Sequence, residues 1–174
     1  MNKIKVSILA VSIGVLLGGC KKSFLDINTN PNGPTESSIT PDLALAPTLT
    51  ATAGRNASSY DFLHRWMGAW SASGSFSRAT VEMSYNLTND FGAGIWNGVY
   101  YTVSQLKTIE KKAAELDWKF YQGISIIIQA HEVGVLVDFY GNVPYSKAWD
   151  LTGNIRPSYD KAEDVYKALI PKID

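Results

Sequence analysis

The residues of this chain best equipped for chemistry are His131 and Glu132, adjacent in the stretch QAHEVGV. That pair opens a zinc-hydrolase signature. In it a second histidine, four residues after the first, shares the metal while the glutamate acts as base. Val135 occupies that position, and His64 is the only other histidine, so a metal site is not expected. No glycine-rich phosphate loop with a following Lys-Ser/Thr occurs, and no G-x-S-x-G elbow. Asp138 and Asp150 are single acids beside turns, where capping or loop hydrogen bonding is their natural work. No carboxylate pair stands out for glycoside hydrolysis. A catalytic site assembled from distant residues leaves no local pattern, but nothing local points to an enzyme or a bound cofactor.

Cys20, the sole cysteine, carries a different chemistry. Lys3 and Lys5 form a short basic region, and Ile8 to Leu17 is an apolar run of secretory length, too short for a permanent span. Leu17-Gly18-Gly19-Cys20 then resembles a bacterial lipobox. By that resemblance residues 1–19 are a cleaved leader, and Cys20 becomes a lipid-bearing N-terminus. Each buried methylene contributes about 0.8 kcal/mol, so several acyl chains hold a protein in a membrane. The plainer alternative is an ordinary signal peptide with a chance cysteine. A lone cysteine excludes disulfides within the chain.

Without the leader, fourteen basic residues face sixteen acidic ones. That balance argues against a nucleic-acid partner, which needs a basic surface. Five Trp, nine Tyr and six Phe suit sugar or peptide contacts, or else fill a core.

The elements that must position such residues are read from periodicity. Residues 20–39 are polar and turn-rich, a tether with Phe24, Leu25 and Ile27 available to dock it. Residues 40–174 form the body. Thr40-Pro41-Asp42 starts a helix, with a capping hydroxyl and proline at the first position, and Pro47 is expected to kink or shorten it. A second helix is expected over about Ser59 to Ser73, with Phe62, Trp66, Ala69, Trp70 and Ser73 on one stripe, better suited to core than to a ligand platform. Ser71 to Asn89 reads as a long loop, functional or disordered. Its Asn86-Leu87-Thr88 sequon is uninformative behind a bacterial leader. Asp90 to Leu116 is a third helix with Trp96, Tyr100, Val103 and Leu106 inward, and with Glu110, Glu115 and their lysines on a solvated face.

A short turn at Leu116-Asp117 leads into the central helix, Trp118 to Tyr140, and makes the two antiparallel neighbours. Gly123, Ala130 and Gly134 share one face of it, where a second helix is expected to approach closely. Ser125, Gln129, His131 and Glu132 interrupt its apolar run, which argues against a membrane span. Gly141-Asn142 closes it, and Val143-Pro144-Tyr145 leaves extended. Asp160 is placed to cap a fifth helix, with Glu163 in capping-box spacing and Ala162, Val165, Tyr166 and Leu169 inward. Leu169, Ile170 and Ile173 still call for a partner. The chain is therefore expected to be a fragment, or to close on itself, and in isolation to be unstable or self-associating.

The lipobox, FLDINTNPNGPT at Phe24–Thr35, IWNGVYY at Ile95–Tyr101, and IIIQAHEVGVLVDFYGNVPYSKAW at Ile126–Trp149, followed by SYDKAEDVY, occur in order. Together they resemble the N-terminal part of a SusD/RagB-family outer-membrane lipoprotein. The resemblance implies an all-α fold of tetratricopeptide-like helix pairs with long irregular loops, here a partial domain because family members are much longer. It implies a nutrient-binding protein rather than an enzyme, with no cofactor beyond the lipid. Such a protein lies lipid-anchored on the outer membrane, facing the exterior. It holds an oligosaccharide, or less often a peptide, for a SusC-like TonB-dependent transporter. The family's ligand contacts lie in variable loops. The candidate site residues are therefore Phe76, Arg78, Tyr85 and Asn86 of the long loop: rings to stack on a sugar, Arg and Asn to bond its hydroxyls. A helical scaffold that binds no nutrient and a surface hydrolase are the rival functions.

Overall fold

The computed structural model describes residues 33, 35, 38–71, 74, 80–150 and 152–174. The expectations for the leader, Cys20, Phe24, Leu25, Ile27, Ser73, Phe76 and Arg78 lie outside the described residues. The chain divides into two units, Met1–Ile39 and Thr40–Asp174. In the first, Thr35 and Ser38 close a turn: the Thr35 amide donates to Ser38 Oγ at 2.9 Å, and the Ser38 amide to the Thr35 carbonyl at 3.0 Å.

The described residues of the second unit are mostly helical. In chain order the helices are α1 (Pro41–Ser58), α2 (Asp61–Trp66), α3 (Thr80–Ser84), α4 (Ala93–Glu115), α5 (Lys119–Tyr140) and α6 (Ala162–Ile173). An isolated antiparallel bridge joins Val143 to Asp160. The expected all-α class is what is found. The hairpin of α4 and α5 is the centre; α1 packs on both of its helices and α6 on α5. Ile95, Val99, Val103, Leu106, Ile109 and Ala113 recur at helical spacing and bury the inner face of α4. That face is turned by about one residue from the expected one. Trp96 and Tyr100 border the core half-buried, because the Tyr100 hydroxyl must reach the Pro144 carbonyl, 2.7 Å away.

The α4–α5 turn is held by two backbone bonds, from the Trp118 amide to the Ala113 carbonyl at 2.8 Å and from the Asp117 amide to the Ala114 carbonyl at 3.2 Å. This is a Schellman closure with Asp117 in the left-handed conformation at φ 57°. In α5 the structure reverses one expectation. The buried stripe is partly polar, Ser125, Gln129 and Glu132 beside Val133, Leu136 and Val137. Gly123 and Gly134 face open space, with nothing within 4 Å of an added Cβ. At Gly134 helix α6 comes near only through Tyr166, whose hydroxyl donates to the Gly134 carbonyl at 3.5 Å. By length and composition α5 could cross a membrane, yet its polar stripe is buried inside this body. Each of the three polar groups has an internal partner. Ser125 Oγ donates to the Tyr121 carbonyl at 2.7 Å, Gln129 Nε2 donates to Glu110 Oε2 at 2.8 Å, and the Glu132 carboxylate pairs with Arg55. Glu110 is therefore tied to α5 rather than left on a solvated face.

Three helix ends also differ from expectation. Helix α1 runs through Pro47. The donor Pro47 lacks would have met the carbonyl of Leu43, a residue exposed enough for water to serve it. Thr40 holds the cap position without a side-chain cap bond; hydrogen bonding from its hydroxyl instead keeps the Asp42 carboxyl below the usual range. Helix α2 stops at Trp66 because Gly68 turns left-handed at φ 73°. The Ala69 amide then reaches the His64 carbonyl at 2.8 Å, and the Gly68 amide the Arg65 carbonyl at 3.1 Å. Asp160 does not cap α6. Asn142 Oδ1 accepts from the Ala162 amide at 3.1 Å. Asp160 accepts from the Tyr145 and Ser146 amides at 2.8 and 2.9 Å and from Ser146 Oγ at 2.8 Å. The acid that precedes α6 thus fixes the extended exit from α5. At its far end α6 continues through Pro171 to Ile173, with Leu169 buried and Ile170 and Ile173 exposed.

Candidate functional site

Aromatic side chains gather where α2, α3 and the start of α4 meet. Phe62 is their buried centre. It meets Trp66 edge-on at 4.8 Å, Phe91 at 5.1 Å and Phe139 of α5 at 5.9 Å between ring centroids. Trp66 lies near-parallel to both Tyr85 (5.8 Å, 15°) and Phe91 (5.6 Å, 23°). Its indole Nε1 donates to the Glu82 carbonyl at 2.9 Å, which fixes α3 against α2. Arg65 and Glu82 face each other at 3.5 Å.

Gly92 makes the close packing possible. It turns left-handed at φ 81°. An added Cβ would lie 2.9 Å from the Tyr140 hydroxyl and 3.1 Å from the Phe139 ring. That hydroxyl donates to the Gly92 carbonyl at 2.5 Å.

From this base a platform faces outward. Tyr85 is 67% exposed on the ring stack, and Asn86 beside it is exposed too. Tyr85 sits at φ 53°, a strained turn that ends α3 and carries its ring back over Trp66. Trp70 is 51% exposed and stacks on His64 at 4.8 Å and 22°. Two of the four expected site residues, Tyr85 and Asn86, thus stand together on an open aromatic surface. Phe76 and Arg78 lie outside the described residues.

Trp66, Trp70, His64 and Arg65 were not expected at this surface, since the stripe assigned Trp66 and Trp70 to the core. The signal that finds Trp70 is Gly68. A glycine just past a short helical run is a stop, and it turns the next tryptophan outward.

Neither histidine is placed as a metal ligand. His131 Nε2 lies 3.1 Å from Asn56 Nδ2. Among the described residues no group of three His, Cys, Asp or Glu side chains is disposed to hold a metal ion. Asp150 does loop work, as expected, accepting from the Gly153 amide, Thr152 Oγ1 and Asn154 Nδ2. Asp138 instead accepts from the Tyr166 hydroxyl and ties α5 to α6.

The arrangement offers broad ring faces, carboxamide and guanidinium donors, and a carboxylate at the margin. Such a surface binds by stacking and hydroxyl hydrogen bonds. A search of curated proteins finds no match. A protein-family profile for SusD-like proteins, described as starch-binding associating with outer membrane, matches residues 31–174. With that match over most of its length, the chain belongs to the SusD-like family of outer-membrane-associated binding proteins.

Proposed function

We propose that this chain is a surface lipoprotein that binds nutrient glycan and delivers it to a SusC-like TonB-dependent transporter. The observation that carries the reading is the exposed platform of Tyr85 on Trp66, with Asn86 at its edge and Trp70 on His64 nearby. Pyranose rings present flat C–H faces to aromatic planes and hydroxyls to amide and guanidinium donors. A row of exposed rings fixed from beneath therefore suits an oligosaccharide better than a compact polar metabolite. The lipobox at Leu17–Cys20 supports an anchor at Cys20, with residues 20–39 as the tether and residues 40–174 as the binding body, facing the cell exterior. The family description supports the glycan class.

Affinity electrophoresis of the full chain through gels containing starch and other polysaccharides tests the ligand. Retardation is expected in at least one gel. Tyr85→Ala and Trp70→Ala should each weaken binding by about 1 kcal/mol, roughly fivefold in Kd. Pull-down of the tagged protein from its native membranes in mild detergent tests the partner, with a large β-barrel transporter expected alongside. Wild-type and variant proteins retarded alike would remove the platform from the reading. Unretarded protein that brings no barrel would favour a helical scaffold.

A further inference from the structure

A second cleft lies away from the aromatic platform, between α4, α5 and α6. It has a volume of about 190 Å³. Val103, Ile126, Val133 and Leu169 form its apolar wall, and Lys107, Glu110, Gln129, Lys172 and Tyr145 its polar lining. We propose that this cleft is a binding site for a small molecule bearing a single carboxylate.

Charge comes first. Two ammonium groups and one carboxylate line the cleft, a net surplus of one positive charge. The carboxylate is already engaged, since Gln129 Nε2 donates to Glu110 Oε2 at 2.8 Å. Each lysine meets a ring face, and Lys107 also feels the Glu110 carboxylate through its charge. Lys107 Nζ is 5.1 Å from the Trp149 ring and Lys172 Nζ is 5.2 Å from that of Tyr145. Burial, and then the neighbouring Lys172, pull the Lys107 ammonium below its ordinary range, against a smaller opposing effect of Glu110. An anion between the two lysines would relieve both effects.

A vacant donor comes second. The Tyr145 hydroxyl is buried without a hydrogen-bond partner among the described residues, a state that buried hydroxyls rarely keep. It can donate to a carboxylate oxygen. Its ring is also held in advance: Asp160 accepts from the Tyr145 amide at 2.8 Å, and Trp149 meets the ring edge-on at 6.0 Å.

Size and shape narrow the ligand. A cavity of about 150 Å³ takes a benzene ring, so this one takes one ring or a short chain with its carboxylate. The apolar wall suits the body of such a molecule and the lysines its head. A free organic acid and a sugar acid share that chemistry.

The test is calorimetric titration of the full chain in detergent with sodium benzoate and sodium glucuronate. Benzyl alcohol, glucose and inorganic phosphate are titrated alongside. At least one carboxylate is expected to bind at least tenfold tighter than its neutral counterpart and than phosphate. Tighter benzoate would point to a free organic acid, and tighter glucuronate to a sugar acid. Lys107→Met and Tyr145→Phe should each weaken the bound carboxylate at least fivefold. Lys167→Met, an exposed lysine of the same α6 paired with Glu163, should leave it unchanged. Tyr145→Phe keeps the ring, so it decides the matter if Lys107→Met fails to fold. The proposal is overturned by neutral ligands or phosphate binding as tightly as the carboxylates, by no heat at millimolar ligand, or by Tyr145→Phe titrating like wild type.

Discussion

At the scale of single residues, two acids hold the body together in ways their local sequence does not announce. Glu132 is fully buried, and its carboxylate meets the Arg55 guanidinium, itself 8% exposed. Arg55 also donates to Thr102 Oγ1 at 3.0 Å. Its side chain crosses α4 at Gly98, where an added Cβ would lie 3.2 Å from it. One pair thus links α1, α4 and α5. Removing one partner strands the other charge. Glu132→Ala should therefore cost about 3–5 kcal/mol in urea unfolding, while Arg55→Leu with Glu132→Leu should recover most of that. A double variant no more stable than the single one would show that the pair does more than neutralise itself. Asp160 is the second acid. Hydrogen bonding from the Ser146 amide, aided by the Ser146 hydroxyl and the Tyr145 amide, holds its carboxyl below the usual range despite some burial. Its ordinary value, near 3.9, applies in the unfolded chain, which therefore binds the proton more readily. The stabilisation is complete above that value and is lost as pH falls through the lower folded one. Between pH 6 and pH 3, wild type should lose more stability than Asp160→Asn. Equal losses in the two proteins would release Asp160 from that role.

At the scale of elements, glycines separate what the helices need from what they merely contain. Gly123 and Gly134 sit in the interior of α5 with open space where a Cβ would go. Alanine at either should stabilise the chain by about 0.5–1 kcal/mol through helix propensity alone. A loss on thermal melting would mean that a close helix contact does form there. Gly92 is the opposite case. Its left-handed backbone costs alanine about 1–2 kcal/mol, and the Phe139 and Tyr140 contacts add about 1–3. Gly92→Ala should therefore destabilise by about 2–5 kcal/mol and loosen the aromatic base.

The same contrast explains how much could be read from the sequence. Helices α4, α5 and α6 carry long apolar periods, and the α4–α5 hairpin follows from its short link. Periodicity alone misplaces the inner face of α5, because Gln129 and Glu132 are buried by partners on α4 and α1, far away in sequence. The tryptophan stripe makes α2 look longer than it is, because it continues numerically past Gly68 while the helical backbone does not. Tyr85 and Asn86 were legible as isolated polar and aromatic residues in a loop. Trp70 is not legible in the same way, because only the turn at Gly68 brings it out to stack on His64.

At the scale of the whole molecule, the proposed function joins a shallow site to a membrane anchor. A platform of two exposed rings with a few donors binds weakly; each ring contributes on the order of 1 kcal/mol beyond its buried area, and a millimolar Kd corresponds to only about 4 kcal/mol. Such a site serves uptake when it is held beside its transporter, because a tether replaces bulk concentration with a high local one. The anchor and the site should then be separable. Cys20→Ser should leave the purified protein's affinity for polysaccharide within twofold of wild type, since the substituted residue precedes the binding body. In the cells that make it, the same variant should leave the membrane fraction and fail to support growth on that polysaccharide. A variant that stayed in the membrane would remove Cys20 as the anchor. One that left the membrane yet still supported growth would mean that the transporter draws on free glycan, and that proximity is not what this chain contributes.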